Sequence, residues 1–212
     1  MLSRLLRRWW ADLWRPFIGV LLSAGVTANH LTLIGLIAAL IAGAMAALGM
    51  MFAAGVALLL SGTLDALDGA LARQAGSDSP YGAFVDSVAD HYGDLAIYLG
   101  IAWAMLEARD ALTVMLTLVA LFGSVMGSHI RSRGGMLGIE TKDVGLFTRA
   151  ERIVVMVAGL LTGFVPAAVV VLAVANNVSA LQRLAHVIQG ARSATRNPVT
   201  FADDAGFPPG RA

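Results

Sequence analysis

The 212-residue sequence contains no cysteine and little charge. The missing cysteine excludes disulfides and thiolate metal sites. Charged residues make up 14% of the chain, whereas soluble domains carry about 25%. Hydrophobic residues make up 58%, and the mean hydropathy is +0.74. These values predict one all-α membrane domain rather than packed soluble domains, and we expect no nucleic-acid partner.

Three long segments contain no charge at all, namely residues 31–64, 111–130 and 153–182. About 20 apolar residues cross a bilayer as a helix. Together with residues 82–106, whose acids lie in the first half, these segments predict six transmembrane helices. Their expected ranges are 31–49, 51–72, 82–106, 110–131, 148–164 and 166–188.

The basic residues predict how the helices are oriented. If the N-terminus is cytoplasmic, every lysine and arginine except Arg109 falls on the cytoplasmic side, as the positive-inside rule requires. We therefore expect both termini in the cytoplasm of a bacterial or archaeal cell. Residues 1–25 alternate leucine and tryptophan with arginine and predict an amphipathic helix in the headgroup layer, in contact with membrane lipids. The six-helix domain then covers 26–190, and the polar segment 191–212 is expected to be disordered.

Five aspartates interrupt the apolar pattern. Asp65 and Asp68 lie one turn apart near the end of the second predicted span, and Asp86, Asp90 and Asp94 follow at one-turn intervals in the third. These spacings place each group on one helix face. The turn-forming residues between 74 and 81 would fold the two spans into a hairpin. Because a charged side chain in a membrane costs at least a few kcal/mol, such a group indicates function.

Four converging carboxylates, those of Asp65, Asp68, Asp86 and Asp90, would repel one another. Two divalent cations would neutralise them, and oxygen donors without His or Cys favour Mg²⁺ or Mn²⁺. Small residues clear the same face, and an arginine suited to phosphate oxygens stands beside them. The expected nucleotide or diphosphate contacts are Gly69, Ala72, Arg73 and Gly82. Glycine and alanine on membrane helices also serve close packing, so either role remains open for each alone.

Residues 65–90 form the pattern D-x-x-D-G-x-x-A-R, eight residues, G, three residues, D, three residues, D. This pattern resembles the signature of the CDP-alcohol phosphotransferase family. Residues 27–32 are similar to the family's Thr-Pro-Asn-x-Leu-Thr segment, with Ala28 in place of proline. The resemblance implies six membrane helices, a cytoplasmic active site, a homodimer, and transfer of a lipid phosphate group from a CDP-linked lipid with release of CMP. It also implies that Asp65, Asp68 and Asp86 bind metal, and that Asp90 is a metal ligand or the catalytic base.

Basic residues near the fourth, fifth and sixth predicted spans indicate what kind of alcohol accepts the lipid phosphate group. Several guanidinium groups around one pocket would bind a phosphate, and this segment resembles family members that use phosphorylated acceptors. His129 stands where those members have tyrosine, and Gly135 where they have glutamate. We predict inositol phosphate as acceptor, ahead of glycerol 3-phosphate and of a non-phosphorylated alcohol. The expected acceptor-phosphate contacts are Arg131, Arg133, Arg152 and Arg183.

Several alternatives remain open from sequence. Arg149 or Arg152 could merely pair with a nearby acid such as Glu151. Asp94 could position the residues that contact the metal or substrate, or it could form a hydrogen bond to a neighbouring helix. Ester- and ether-linked donors fit equally well. An aspartate-rich prenyltransferase would need more helices and more widely separated acidic motifs. A cation transporter with an acidic relay would not explain Arg73 or the spaced glycines.

Overall fold

A computed structural model of the protein describes residues 18–77, 79–141 and 144–196. All regular secondary structure in these ranges is helical. Most of the expected amphipathic helix at 1–25, and the end of the expected tail from 197 onward, lie outside the described residues. Within the first of these segments, residues 18–23 are helical, and Ile18 is buried against Leu31, Leu67 and Leu71.

After the short helix at 18–23, six longer helices follow one another in the described part of the chain. They are α1 (Ala28–Ala47), α2 (Met51–Ala75), α3 (Pro80–Glu107), α4 (Ala111–Met136), α5 (Arg149–Thr162) and α6 (Val165–Arg196). Each overlaps one of the six expected segments. Helix α6 also continues through residues 191–196, which were expected to belong to the disordered tail. The prediction of an all-helical fold is therefore confirmed for the described residues.

Four of these helices are long and apolar enough to cross a membrane: α1, α2, α4 and α6. The other two helices, α3 and α5, do not meet this criterion of length and apolar character, each for its own physical reason. Helix α3 carries Asp86, Asp90 and Asp94 in its first half. Helix α5 has 14 residues, which corresponds to roughly 21 Å at 1.5 Å per residue, less than the ~30 Å of a bilayer core.

The turn between α2 and α3 is built from specific end signals. Gly76 adopts the left-handed conformation (φ 60°) after the last turn of α2, a conformation that favours glycine. The Ser79 side chain then accepts a hydrogen bond from the Gly82 amide, and Pro80 occupies the first turn of α3. Only residues 76–79 separate the two helices, so the aspartates of α2 and α3 lie on either side of one short connection.

The helices pack as two groups, which are joined by α5 and by a direct contact between α3 and α4. Helix α1 packs against α2 and α3, α4 packs against α6, and α5 lies against both α2 and α6. The approach of α1 to α3 is very close, because a Cβ atom added to Gly100 would overlap the Gly43 carbonyl. Large apolar side chains such as Leu33, Phe52 and Val171 remain exposed on the outer faces, as expected for surfaces that face lipid. Several polar side chains, among them Asp68, Thr117, Ser124 and Asn176, are buried.

Candidate active site

Three of the predicted aspartates meet at the junction of α2 and α3. One carboxylate oxygen from each of Asp65, Asp68 and Asp86 lies within 4.8 Å of the other two. In addition, Oδ1 of Asp86 is buried and has no hydrogen-bond partner among the described residues. A buried unpaired carboxylate oxygen requires a compensating partner. The all-oxygen donor set fits Mg²⁺ or Mn²⁺.

Helix α1 supports this triad through Thr32. The Thr32 hydroxyl donates a hydrogen bond to Oδ2 of Asp68 at 2.6 Å. Asp68 is the most buried of the three aspartates, at 5% exposure. The hydrogen bond holds one oxygen of this carboxylate against α1, which fixes the orientation of the other.

Asp90 lies outside the triad and pairs with an arginine from α5. Arg149 contacts Asp65 at 2.6 Å through Nη1 and Asp90 at 2.7 Å through Nη2. Glu151, the acid suggested by the sequence as a partner, instead accepts a hydrogen bond from the Thr148 amide. Sequence reasoning left Arg149 out of the predicted site. The available signal was its position at the start of the fifth predicted span, on the side of the membrane where the aspartates were expected.

Asp94 forms a second polar contact one turn deeper. Its Oδ2 accepts a hydrogen bond from Ser124 of α4 at 2.8 Å and lies 3.7 Å from Arg152 Nη2. Arg152 also donates to the Ser124 hydroxyl at 2.6 Å. Of the two roles considered for Asp94, bonding to neighbouring helices is therefore observed. Asp94 and Ser124 together hold the Arg152 guanidinium in place.

These contacts belong to a polar stripe along α3, in which Asp86, Asp90, Asp94 and Tyr98 recur every fourth residue. Tyr98 is 3% exposed, and its hydroxyl accepts a hydrogen bond from Asn176 of α6 at 3.2 Å. Along the stripe, Asp90 contacts Arg149 of α5, and Asp94 contacts Arg152 of α5 and Ser124 of α4. Tyr98 contacts Asn176 of α6. Each polar residue of the stripe beyond Asp86 has a partner on another helix.

The small residues of the motif line a cavity beside the triad. This cavity has a volume of about 810 Å³ and is bordered by Asp68, Asp86, Gly69, Ala72, Arg73 and Gly82, among others. A Cβ atom on Gly69 would lie 3.3 Å from Arg73 Nη1. The absent side chain therefore leaves room for the guanidinium over the helix. All four residues predicted to contact nucleotide or diphosphate border this one space.

The four arginines predicted to bind acceptor phosphate have different surroundings. Arg131 and Arg133 are exposed near the end of α4. Arg152 is held by Asp94 and Ser124, as described above. Arg183 donates to three backbone carbonyls, those of Gly127, Val144 and Phe147. Its guanidinium therefore links α6 to α4 and to the connection before α5.

The model of the CDP-alcohol phosphatidyltransferase family matches residues 25–185. The chain belongs to this family. As a CDP-alcohol phosphatidyltransferase it is an integral membrane transferase of phospholipid biosynthesis, and the predicted family is confirmed. Membership also removes the prenyltransferase and cation-transporter alternatives.

Similar relatives include two synthases from different domains of life. The archaetidylinositol phosphate synthase of Pyrococcus horikoshii is 37% identical over 164 residues, which cover 77% of this chain and 85% of the relative. The phosphatidylinositol phosphate synthase of Mycobacteroides abscessus is 32% identical over 193 residues, with 87% of each chain covered.

The fold of this phosphatidyltransferase is similar to that of a solved enzyme, the phosphatidylinositol phosphate synthase of Mycobacterium tuberculosis. The structure of that enzyme with CDP-DAG bound gives a TM-score of 0.74 at 28% identity, covering 81% of this chain and 92% of the other. Its complex with manganese and citrate gives a TM-score of 0.75 at the same identity, covering 82% and 88%.

Proposed function

We propose that this phosphatidyltransferase transfers the phosphatidyl-type group of a CDP-linked lipid to inositol phosphate and releases CMP. The donor is CDP-diacylglycerol or its ether analogue. The observation that carries the proposal is the cavity in which Asp68 and Asp86 meet Gly69, Ala72, Arg73 and Gly82. It combines metal-binding carboxylates, space against the backbone and a fixed positive charge, which together suit a diphosphate.

The cofactor in this proposal is a pair of divalent cations, Mg²⁺ or Mn²⁺, held by Asp65, Asp68 and Asp86. When bound, such cations neutralise phosphate charge and stabilise the leaving oxygen. The solved relative with manganese supports this assignment. The sequence left Asp90 as either a fourth ligand or the base. Its contact with Arg149, apart from the triad, favours the base.

The reaction is a substitution at the lipid-side phosphorus. The acceptor hydroxyl oxygen forms a bond to this phosphorus, Asp90 takes the hydroxyl proton, and the bond between the phosphorus and the CMP oxygen breaks. Arg73 stabilises the negative charge of the diphosphate. Positioning and fixed charges provide most of the catalysis in phosphoryl-type transfers, which is consistent with a site composed of charged side chains on packed helices.

The proposed acceptor follows from the basic residues and the relatives. Arg152 is the strongest candidate for a phosphate contact, because Asp94 and Ser124 preorganise its guanidinium. Arg131 and Arg133 would add charge from the end of α4. We retain Arg183 as a further contact, with its remaining N–H groups directed to the acceptor. Relatives named as inositol phosphate lipid synthases favour inositol phosphate over glycerol 3-phosphate.

The proposal also includes a membrane arrangement. All six helices are assigned as spans, with both termini and the active site cytoplasmic and a homodimer as the functional unit. The spans and their orientation are supported by the bias of the basic residues together with six helices at the expected positions, and the homodimer follows from the resemblance to the family. For the short α5, the span is completed by the residues that flank the helix.

The test is CMP release by the purified protein in mixed micelles. We expect turnover with CDP-diacylglycerol or its ether analogue, Mg²⁺ and inositol phosphate. Free inositol should support at most about one hundredth of that rate, because the charge-assisted contacts to its phosphate would be missing. Glycerol 3-phosphate is the comparison acceptor, and Asp86→Asn is the inactive control. Equal turnover with free inositol and inositol phosphate would contradict the proposed phosphate pocket.

A further inference from the structure

We propose that Arg149 is a positioning residue that acts as the internal counter-ion of the aspartate cluster. Its guanidinium links the metal-binding Asp65 to the base Asp90. It also competes with cations for the negatively charged carboxylate of Asp65. The inference rests on the proposed function for the role of Asp90, but its contribution to metal binding can be measured independently.

The geometry of the contact supports a linking role. Two different nitrogens of one guanidinium contact two different carboxylates, at 2.6 Å to Asp65 and 2.7 Å to Asp90. The two aspartates belong to α2 and α3, whereas Arg149 is the first residue of α5. One side chain therefore ties three helices together at the active site.

The backbone of Arg149 is fixed independently of these ion pairs. Thr148 and Glu151 form a capping box around the start of α5, which satisfies amides that the helix leaves unpaired. Arg149 also lines a small cavity of about 20 Å³ together with Asp65, Asp90, Thr32 and Ser61. The arginine is therefore presented to the aspartates from a preorganised helix end.

Charge determines the effect on metal binding. Asp65 gives one oxygen to the triad, while its Oδ2 contacts Arg149. A cation that binds the triad is repelled by the guanidinium on the same carboxylate. Removal of this positive charge should therefore strengthen cation binding. The side chains of Arg149 and Asp65 are 27% and 29% exposed, so solvent screens the effect and keeps it modest.

The same contact has the opposite consequence for turnover. The ion pair uses Oδ1 of Asp90, which leaves Oδ2 to accept the proton of the acceptor hydroxyl. Without Arg149, Asp90 would be free to turn toward the cations as another ligand. A general base that leaves its position contributes little to catalysis. Loss of Arg149 should thus combine tighter cation binding with slower turnover.

The deciding experiment compares Arg149→Gln with two reference variants. Arg149→Lys keeps the charge, but one ammonium replaces the two-nitrogen fork that spans both carboxylates. Arg192→Gln removes the same charge from an exposed position of α6. Mn²⁺ affinity is measured on the substrate-free full-length proteins by titration calorimetry. The kcat and KM for inositol phosphate are measured by CMP release.

For Arg149→Gln we expect Mn²⁺ affinity to rise about three- to fivefold and kcat to fall about a hundredfold, with little change in KM. For Arg149→Lys we expect wild-type Mn²⁺ affinity and an intermediate kcat. For Arg192→Gln we expect no change in either quantity. A thermal melt of each variant confirms that it is folded.

Three results would overturn the inference. The first is unchanged or weaker Mn²⁺ binding in a folded Arg149→Gln. The second is equally tightened binding in Arg192→Gln, which would indicate a net-charge effect. The third is a raised KM alone, which would make Arg149 an acceptor contact. If no acceptor supports turnover but the Mn²⁺ shift is observed, the proposed function fails while the counter-ion role of Arg149 stands.

Discussion

At the scale of single residues, the four aspartates of the motif differ in what surrounds them. Asp68 is held by Thr32 of α1, Asp65 shares Arg149 with Asp90, and Asp86 keeps an unpaired buried oxygen. Four identical side chains of one motif thus have different surroundings. The differences arise from helices that are distant in sequence.

The first prediction separates the base from the metal ligands. In Asp90→Asn, the amide cannot accept the hydroxyl proton, so kcat should fall by about 10²- to 10⁴-fold. Mn²⁺ affinity should change little, since Asp90 lies outside the triad. Asp68→Asn is the matched comparison, in which Mn²⁺ binding itself should be lost. Near-wild-type turnover of Asp90→Asn would exclude the base role.

A second prediction concerns Thr32. Thr32→Val preserves the shape of the side chain but removes the hydroxyl that holds Asp68 at 2.6 Å. Loss of a residue that orients a metal ligand typically costs about 10- to 100-fold in affinity, and we expect Mn²⁺ binding to weaken by this amount in calorimetry. Thr63→Val is the control, because the Thr63 hydroxyl donates to the Leu59 carbonyl of its own helix. Equal affinities in the two variants would show that Thr32 does not support the metal site.

The motif made many of the site residues predictable. Its spacing identifies the aspartates and also Gly69, Ala72, Arg73 and Gly82, because i, i+3 and i, i+4 relations are local properties of a helix. Arg149 and Thr32 could not be assigned in this way. Their partners depend on how α1 packs against α2 and α3 and how α5 packs against α2, and no local spacing encodes that packing.

At the scale of helices, the sequence predicted where along the chain each helix lies, but it did not predict which helices pack against one another. Uninterrupted apolar segments locate helices because every backbone polar group must be paired within the bilayer. The end signals at Gly76 and Ser79 also follow from local rules. Which helices make contact depends on surface shape, as in the fit of Gly100 of α3 against Gly43 of α1.

The close approach of these two glycines gives a third prediction. Gly100→Ala would place a methyl group into the Gly43 carbonyl, so α1 and α3 must separate. We expect the melting temperature in detergent to fall by several degrees, as for other overpacked sites that lose about 1–3 kcal/mol. Gly135→Ala is the control, because a Cβ atom there meets nothing within 4 Å. Its melting temperature should be unchanged or slightly higher.

At the scale of the whole molecule, the absence of cysteine makes the membrane arrangement directly testable. A cysteine introduced at Ala108, after α3, should react with an impermeant maleimide added to intact cells. A cysteine at Ser132, near the end of α4, should react only after the cells are permeabilised. Both positions are exposed. The reverse pattern would contradict the cytoplasmic placement of the active site.

The polar stripe of α3 also restricts how the length of this chain can vary. One residue inserted between Asp90 and Asp94 would rotate the rest of the helix by about 100°. Asp94 and Tyr98 would then turn away from Arg152 and Asn176. We therefore expect insertions and deletions among functional relatives to avoid residues 86–98 and to collect in the connection between α4 and α5.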